Sequence, residues 1–419
     1  MKNLILISIC ILSLINNLLA QSINYLQLNA GKAFKDIAQE NDYIWAVSSN
    51  GIYKYSKQNA QLTAHYHCGN SPLVTADFNT LAIDNNNVKW FGSADAGIIR
   101  FDGNSWTIYN DTNSILNGKN IKSIVVDHNN KLWILCSSDN LITNLFSFDG
   151  NIWINHSNLI NNPILNELPT SMCVDKENAL WICSLQSVYR IQNNIITNYN
   201  LPSYGINESF LSSVVSDTNN VKWFSSYNNA IIKFDNSNWD LIKPADTNNF
   251  FYGFTNLSID NFENHIWISS GFESNMEFSG ITKIENQSFI HYNTLNNQFP
   301  FYQTLKVIAD QYHKKWVATA IAGVIVFNEN GLSLSTENIG SKERLSIFPN
   351  PATDYITTNY SINDAKNLSI YKINGQQVFS TISKINNQTI IDISNFEKGI
   401  YFVKYQYNKE IKVEKFVVN

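Results

Sequence analysis

The sequence predicts an all-β protein, a seven-bladed β-propeller followed by a small C-terminal β-sandwich. Three observations predict it. Tryptophan recurs seven times, from Trp45 to Trp316, at intervals of 42 to 49 residues. Each interval holds four short apolar runs separated by turn-forming residues. After Gly340 this period stops, and a different alternating pattern runs to the end.

The first twenty residues stand apart. Met1-Lys2 opens with positive charge, Leu4 to Ile15 is an apolar run, and Ala20 precedes Gln21. This is the pattern of a Sec-type signal peptide over residues 1–20, cleaved between Ala20 and Gln21. The run is shorter than the ~20 residues a spanning helix needs. No later stretch has 18 consecutive apolar residues, so no transmembrane segment is expected.

Residues 21–338 carry the repeat. Its units read LAIDNNNVKW (81–90), IVVDHNNKLW (124–133), MCVDKENALW (172–181), VVSDTNNVKW (214–223), LSIDNFENHIW (257–267) and VIADQYHKKW (307–316). The first, IAQENDYIW (37–45), has Gln39 where the others have aspartate. Each is followed by a run such as GIIRFD (97–102), a turn, and a strand such as WTIYN (106–110). Four strands per 40 to 50 residues, with turns every 8–12, is the signature of a propeller blade. A blade alone leaves two apolar faces wet, and stacking blades around an axis buries both. The N-terminal INYLQLN (23–29) reads as an outermost strand, so we expect it to complete the seventh blade in preference to LSLST (332–336).

Composition agrees. Hydrophobic residues are 44% and aromatic residues 13%, enough for a substantial core. Charged residues are 15%, and asparagine, at roughly one residue in seven, supplies the polarity. Asparagine favours turns because its side chain bonds nearby backbone and tolerates left-handed φ. The net charge of −5 argues against a nucleic-acid surface, which needs clustered cations.

The repeats resemble the two-component regulator propeller repeat, with its pattern D-x-x-G-x-x-W-I-G-T-x-x-G-L-x-R-F-D-G. The likeness covers about 310 residues in seven copies. The glycine after tryptophan survives at Gly92 and is replaced by Leu135, Cys183, Ser225, Ser269 and Ala318.

Residues 339–419 form a second unit. LSIFPNPATDYI (345–356) opens it, Asn374-Gly375 marks a hairpin, and alternation continues to the end. This segment resembles the C-terminal sorting domain of the type IX (Por) secretion system of Bacteroidetes. The matching residues are Pro349, Asn350, Pro351, Asp354, Asn374, Gly375, Gly399, Ile400, Tyr401, Lys415, Val417 and Val418. The resemblance implies Sec export, engagement of the type IX machinery, and release or attachment at the outer-membrane surface.

No catalytic motif is present: no G-x-S-x-G, H-E-x-x-H, Walker loop or C-x-x-C occurs. No catalytic, metal-binding or cofactor-binding residue is assigned. Asp84, Asp127, Asp175, Asp217, Asp260 and Asp310 sit where a carboxylate caps a tight turn, so a structural role is expected. The seven tryptophans are expected to pack between blades. His65-Tyr66-His67-Cys68 offers soft ligands, but no third is indicated. Cys173 and Cys183 flank a short turn, and whether they bond is left open.

The candidate ligand residues are aromatic and lie on three consecutive inter-blade loops. They are Tyr204, Phe250, Phe251, Tyr252, Phe299, Phe301 and Tyr302. Aromatic faces beside Asn and Ser suit a sugar ring or a peptide strand. The expected function is a non-catalytic binding module for glycan, peptide or protein. The alternative is a secreted propeller enzyme such as a polysaccharide or cyclic-peptide lyase, and a sensor module ranks third.

Overall fold

The computed structural model describes residues 23–75, 77–116, 120–137, 143–156, 169–185, 187–244, 253–271, 279–285, 288–293, 299–300, 303–332, 347–348, 351–358, 368–373, 376–378, 382–385, 388–407 and 410–418. The chain forms two units, Met1–Ser333 and Leu334–Asn419. The signal peptide expected over 1–20 lies outside the described residues, as do Ala20 and Gln21.

Seven antiparallel four-stranded sheets make up the first unit. Blades 1 to 6 occupy residues 34–66, 78–109, 120–155, 169–199, 211–242 and 254–292, each with its strands in chain order. Blade 7 takes Thr304–Ala309, Lys315–Thr319 and Val324–Leu332, and its fourth strand is Ile23–Leu28 from the other end of the unit. Leu28 pairs with Val324, and the Gln27 side-chain amide donates to the Ala322 carbonyl at 2.8 Å. The N-terminal strand therefore holds the outermost place. Innermost strands touch in sequence from blade 1 to blade 7 and back to blade 1, so the ring is closed.

Every innermost strand is bulged at the same level. The register slips between Phe34 and Asp36, Phe78 and Thr80, Ile121 and Ser123, Pro169 and Ser171, Leu211 and Ser213, Phe254 and Asn256, and Thr304 and Lys306. A bulge re-aims the residue that follows it. Here that residue is polar in every blade, and several reach the next blade. Asp36 accepts from Leu81 N at 2.9 Å, Ser171 from Val214 N at 3.3 Å, and Ser213 from Leu257 N at 3.1 Å. These amides lie on strands with no inner neighbour, so a side chain supplies the acceptor a ladder would.

The repeated aspartate closes the turn between the first two strands and holds the tryptophan of the second. Asp175 Oδ1 accepts from Glu177 N at 3.0 Å and Ala179 N at 2.9 Å, and Oδ2 accepts from Trp181 Nε1 at 2.8 Å. The indole bond recurs at Asp84–Trp90, Asp127–Trp133, Asp217–Trp223 and Asp310–Trp316. Blade 6 has one more residue in this turn, and the Trp267 indole N–H finds no acceptor among the described residues. In blade 1 the structure corrects the sequence alignment. Ile37 pairs with Ala46 as Leu81 pairs with Phe91, which puts Glu40, not Gln39, in the aspartate's place. The turn is one residue shorter, and the longer glutamate reaches Trp45 Nε1 at 2.8 Å.

Asparagine completes the turn. Asn87, Asn130, Asn178 and Asn220 sit at φ of 60 to 65°, three residues after the aspartate, where a left-handed residue is needed. Their side chains also join blades. Asn130 accepts from Asn85 N, Asn178 from His128 N and Asn220 from Lys176 N, at 2.8 to 3.0 Å.

The tryptophans pack against the next blade. Trp45 meets Phe78, Leu81 and Phe91, Trp181 meets Val214 and Phe224, and Trp316 meets Phe34 and Ile37. Three seams add a buried lysine. Lys89, Lys222 and Lys315 reach back to Glu40, Asp175 and Asp260 of the preceding blade, the last two at 3.4 and 3.0 Å. Each ammonium also lies 5.0 to 5.4 Å from the centroid of that blade's tryptophan ring. Burial raises the Asp260 pKa, but Lys315 outweighs it and holds the carboxyl below its ordinary value.

The second unit is a sandwich of two four-stranded sheets. Its core comprises Ala352, Ile356, Leu368, Ile370, Ile391, Ile393, Tyr401, Val403, Phe416 and Val418. Ala352 N donates to Val417 O at 2.8 Å, tying the start of the unit to its end. Of the sorting residues, Tyr401 is buried and donates to Glu397 O at 2.8 Å. Pro351 and Lys415 are exposed and Gly399 opens a strand, while Pro349 and Asn350 lie outside the described residues.

Candidate ligand sites on the propeller

The aromatic loops divide. Phe250, Phe251, Tyr252, Phe301 and Tyr302 lie outside the described residues. Tyr204 closes a short 3-10 turn, Leu201–Tyr204, and is half exposed. Its ring lies 6.4 Å from Tyr199 and 5.7 Å from Trp239, both on outermost strands, so it sits at the periphery of blades 4 and 5. Phe299 corrects the expectation. Only 2% exposed, it packs on Phe327 within the core shared by blades 6 and 7, so it serves packing and presents no face to a ligand.

The two neighbouring histidines are spent locally. His65 stacks on Tyr53 at 4.0 Å, and its Nε2 bonds to Asn50 O. His67 Nδ1 accepts from Gly69 N at 3.0 Å. Cys173 and Cys183 are free thiols, since Cys173 stands opposite Trp181 and Cys183 opposite Ser171. Burial pushes the Cys183 thiol up to about 12, so it stays protonated and unreactive.

A cavity of about 350 Å³ opens at the seam of blades 2 and 3, on the face of the aspartate turns. Trp90, Tyr109 and Phe148 form its aromatic wall, while Arg100, Asn86, Asn130 and Asp149 supply polar groups. Arg100 is held by Asp102 at 3.0 Å and lies 6.0 Å from the Trp90 ring centroid. Asp149 accepts from Asn151 N and Ile152 N, which hold its carboxyl below the ordinary range. Trp90 and Phe148 were legible only as core, because nothing in a repeat says which seam opens.

Residues 346–419 match the family described as the secretion system C-terminal sorting domain. This tail marks the chain for type IX secretion to the cell surface or the extracellular space. Among the described residues no helix is long and apolar enough to cross a membrane. No curated protein matches the chain. Solved structures that do match include virginiamycin B lyase from Staphylococcus aureus, at TM-score 0.57 and 15% identity, covering 73% of this chain and 98% of that one. The extracellular domain of a hybrid two-component system from B. thetaiotaomicron matches at 0.56 and 15%, covering 94% of this chain and 57% of that one. YCF48 bound to D1 peptide matches at 0.55 and 12%, covering 73% and 94%. At such identities the likeness shows the propeller fold alone.

Proposed function

We propose that the exported propeller is a binding module whose ligand is a glycan, taken at the seam of blades 2 and 3. The observation that carries this reading is the cavity itself. The partly buried Tyr109 ring, packed on the nearly buried Trp90 and Phe148, adjoins an arginine, two asparagines and a carboxylate, a mixed lining that suits one apolar face and the hydroxyl edges of a sugar. Peptide or protein ligands, and a lyase activity, are the competing readings. The first would draw on the loops that carry Phe250, Phe251, Tyr252, Phe301 and Tyr302.

The test is a glycan and peptide binding screen of the full chain, followed by titration of each hit against two double variants. Arg100→Ala/Asn86→Ala should weaken a glycan hit roughly tenfold or more, the value of one or two hydrogen bonds to a charged or polar group. A hit that ignores this pair and disappears in Phe251→Ala/Phe301→Ala would move the ligand to the aromatic loops. A ligand consumed during the titration would favour the lyase reading.

A further inference from the structure

Five lysines of the propeller are buried among the described residues: Lys57, Lys89, Lys222, Lys283 and Lys315. Four face carboxylates within 4.0 Å, namely Glu40, Asp175, Glu285 with Glu329, and Asp260 with Glu263. Lys57 is the exception. It is 3% exposed, and among the described residues its ammonium donates to two amide oxygens, Gln39 Oε1 at 3.1 Å and Gln311 Oε1 at 3.0 Å, and to no carboxylate. An ammonium has three protons to donate, and a buried charge without a counter-charge is costly. Burial pulls the Lys57 pKa down, only partly offset by Asp310, Asp42 and Glu40.

Lys57 also lines a cavity, again of about 350 Å³. Its walls come from blade 1 (Gln39, Glu40, Asn41), blade 2 (Ile83, Asp84, Asn87), blade 6 (Phe262) and blade 7 (Gln311). Residues of blades 6 and 2 share one cavity only where the ring converges, so this is the axial mouth on the aspartate-turn face. The carboxylates around it are committed. Asp84 accepts from Asn86 N, Val88 N and Trp90 Nε1, and Glu40 from Lys89 and Trp45. Phe262, half exposed, adds an apolar wall.

We propose that this axial mouth binds a small organic carboxylate, with Lys57 as its counter-charge and the amides of Asn41 and Asn87 as flanking donors. One cation suits a monoanion; a phosphate dianion calls for more positive charge or a bidentate arginine. The site is separate from the seam cavity and stands whether or not the seam takes a glycan.

The experiment is isothermal titration calorimetry of the full chain with sodium acetate, D-galacturonate and D-galactose. Both carboxylates should bind saturably and galactose should not bind at this site. Lys57→Gln should weaken both roughly 10- to 100-fold, as loss of a charged hydrogen-bond donor does, while Lys372→Ala, in the tail and outside both cavities, leaves them unchanged. Should Lys57→Gln fail to fold, Gln311→Glu is the second variant. It supplies the carboxylate from the protein itself, so it should raise the melting temperature and abolish acetate binding. The proposal is overturned if neither carboxylate binds, if Lys57→Gln binds them as the parent does, or if Gln311→Glu leaves acetate affinity intact.

Discussion

Replacing His156 with glutamine should make the propeller less sensitive to acid. His156 is 4% exposed, its ring lies 4.8 Å from the Trp133 ring, and its Nε2 bonds to Ser147 Oγ at 2.8 Å. Its Nδ1 is buried with no hydrogen-bond partner among the described residues, so a second ring proton has nowhere to go. Burial, with a smaller push from Lys131, holds the pKa down to about 4 from its ordinary 6.5. Above about pH 6.5 the imidazole is neutral in both folded and unfolded chains, and it adds nothing to the pH dependence. Below that, the unfolded chain takes up the proton and the fold does not, so stability falls with pH until about 4. At 1.36 kcal/mol per decade of proton affinity, the loss is roughly 3 kcal/mol. Glutamine can keep the bond to Ser147 and cannot titrate. It will cost about 1–2 kcal/mol at neutral pH through the void it leaves, so the quantity of interest is the difference between pH values. Urea unfolding followed by tryptophan fluorescence measures it. All ten tryptophans lie between Trp45 and Trp316, so the signal reports the propeller and not the tail. Equal stability losses in parent and variant between about pH 7 and pH 4, within ~0.5 kcal/mol, would refute the argument.

Two further outcomes follow from the seams between blades. Lys222→Met should destabilise the propeller by about 3 kcal/mol, since it leaves a buried Asp175 carboxylate without its cation, whereas Lys372→Ala, at an exposed pair with Glu397 that solvent screens, should leave the tail's stability unchanged within error; paired denaturation curves decide it. Asn178→Gly should cost roughly 1 kcal/mol, the value of the bond from His128 N, and Asn178→Ala about 1 kcal/mol more, because alanine must also hold a φ of 62°.

The period of the tryptophans made the blade count, the strand count and the ring-closing strand readable, because a blade's alternation is local and repeats. The aspartate turn was readable too, since its carboxylate bonds to amides two and four residues away. What went unread lies between blades. The indole bond to the same aspartate, the asparagine link to the previous blade and the lysine reaching back all depend on which neighbour the ring supplies. Glu40 was misplaced by one residue because the shorter turn keeps the tryptophan and shifts only the carboxylate. The ligand surface was least legible. Phe299 has the composition of a loop aromatic and the burial of a core one, and sequence alone records the first property only.

The clasp between Ile23–Leu28 and Val324–Leu332 has a kinetic consequence. Its partners stand about 295 residues apart, as Gln27 and Ala322 do. Joining such distant ends costs about 5 kcal/mol of loop entropy if nothing between them is yet ordered, and far less once the intervening blades stand. The first strand of the ring is thus the last to find its place. Until the chain has been made past Leu332, the half-built ring keeps an open edge at the final blade.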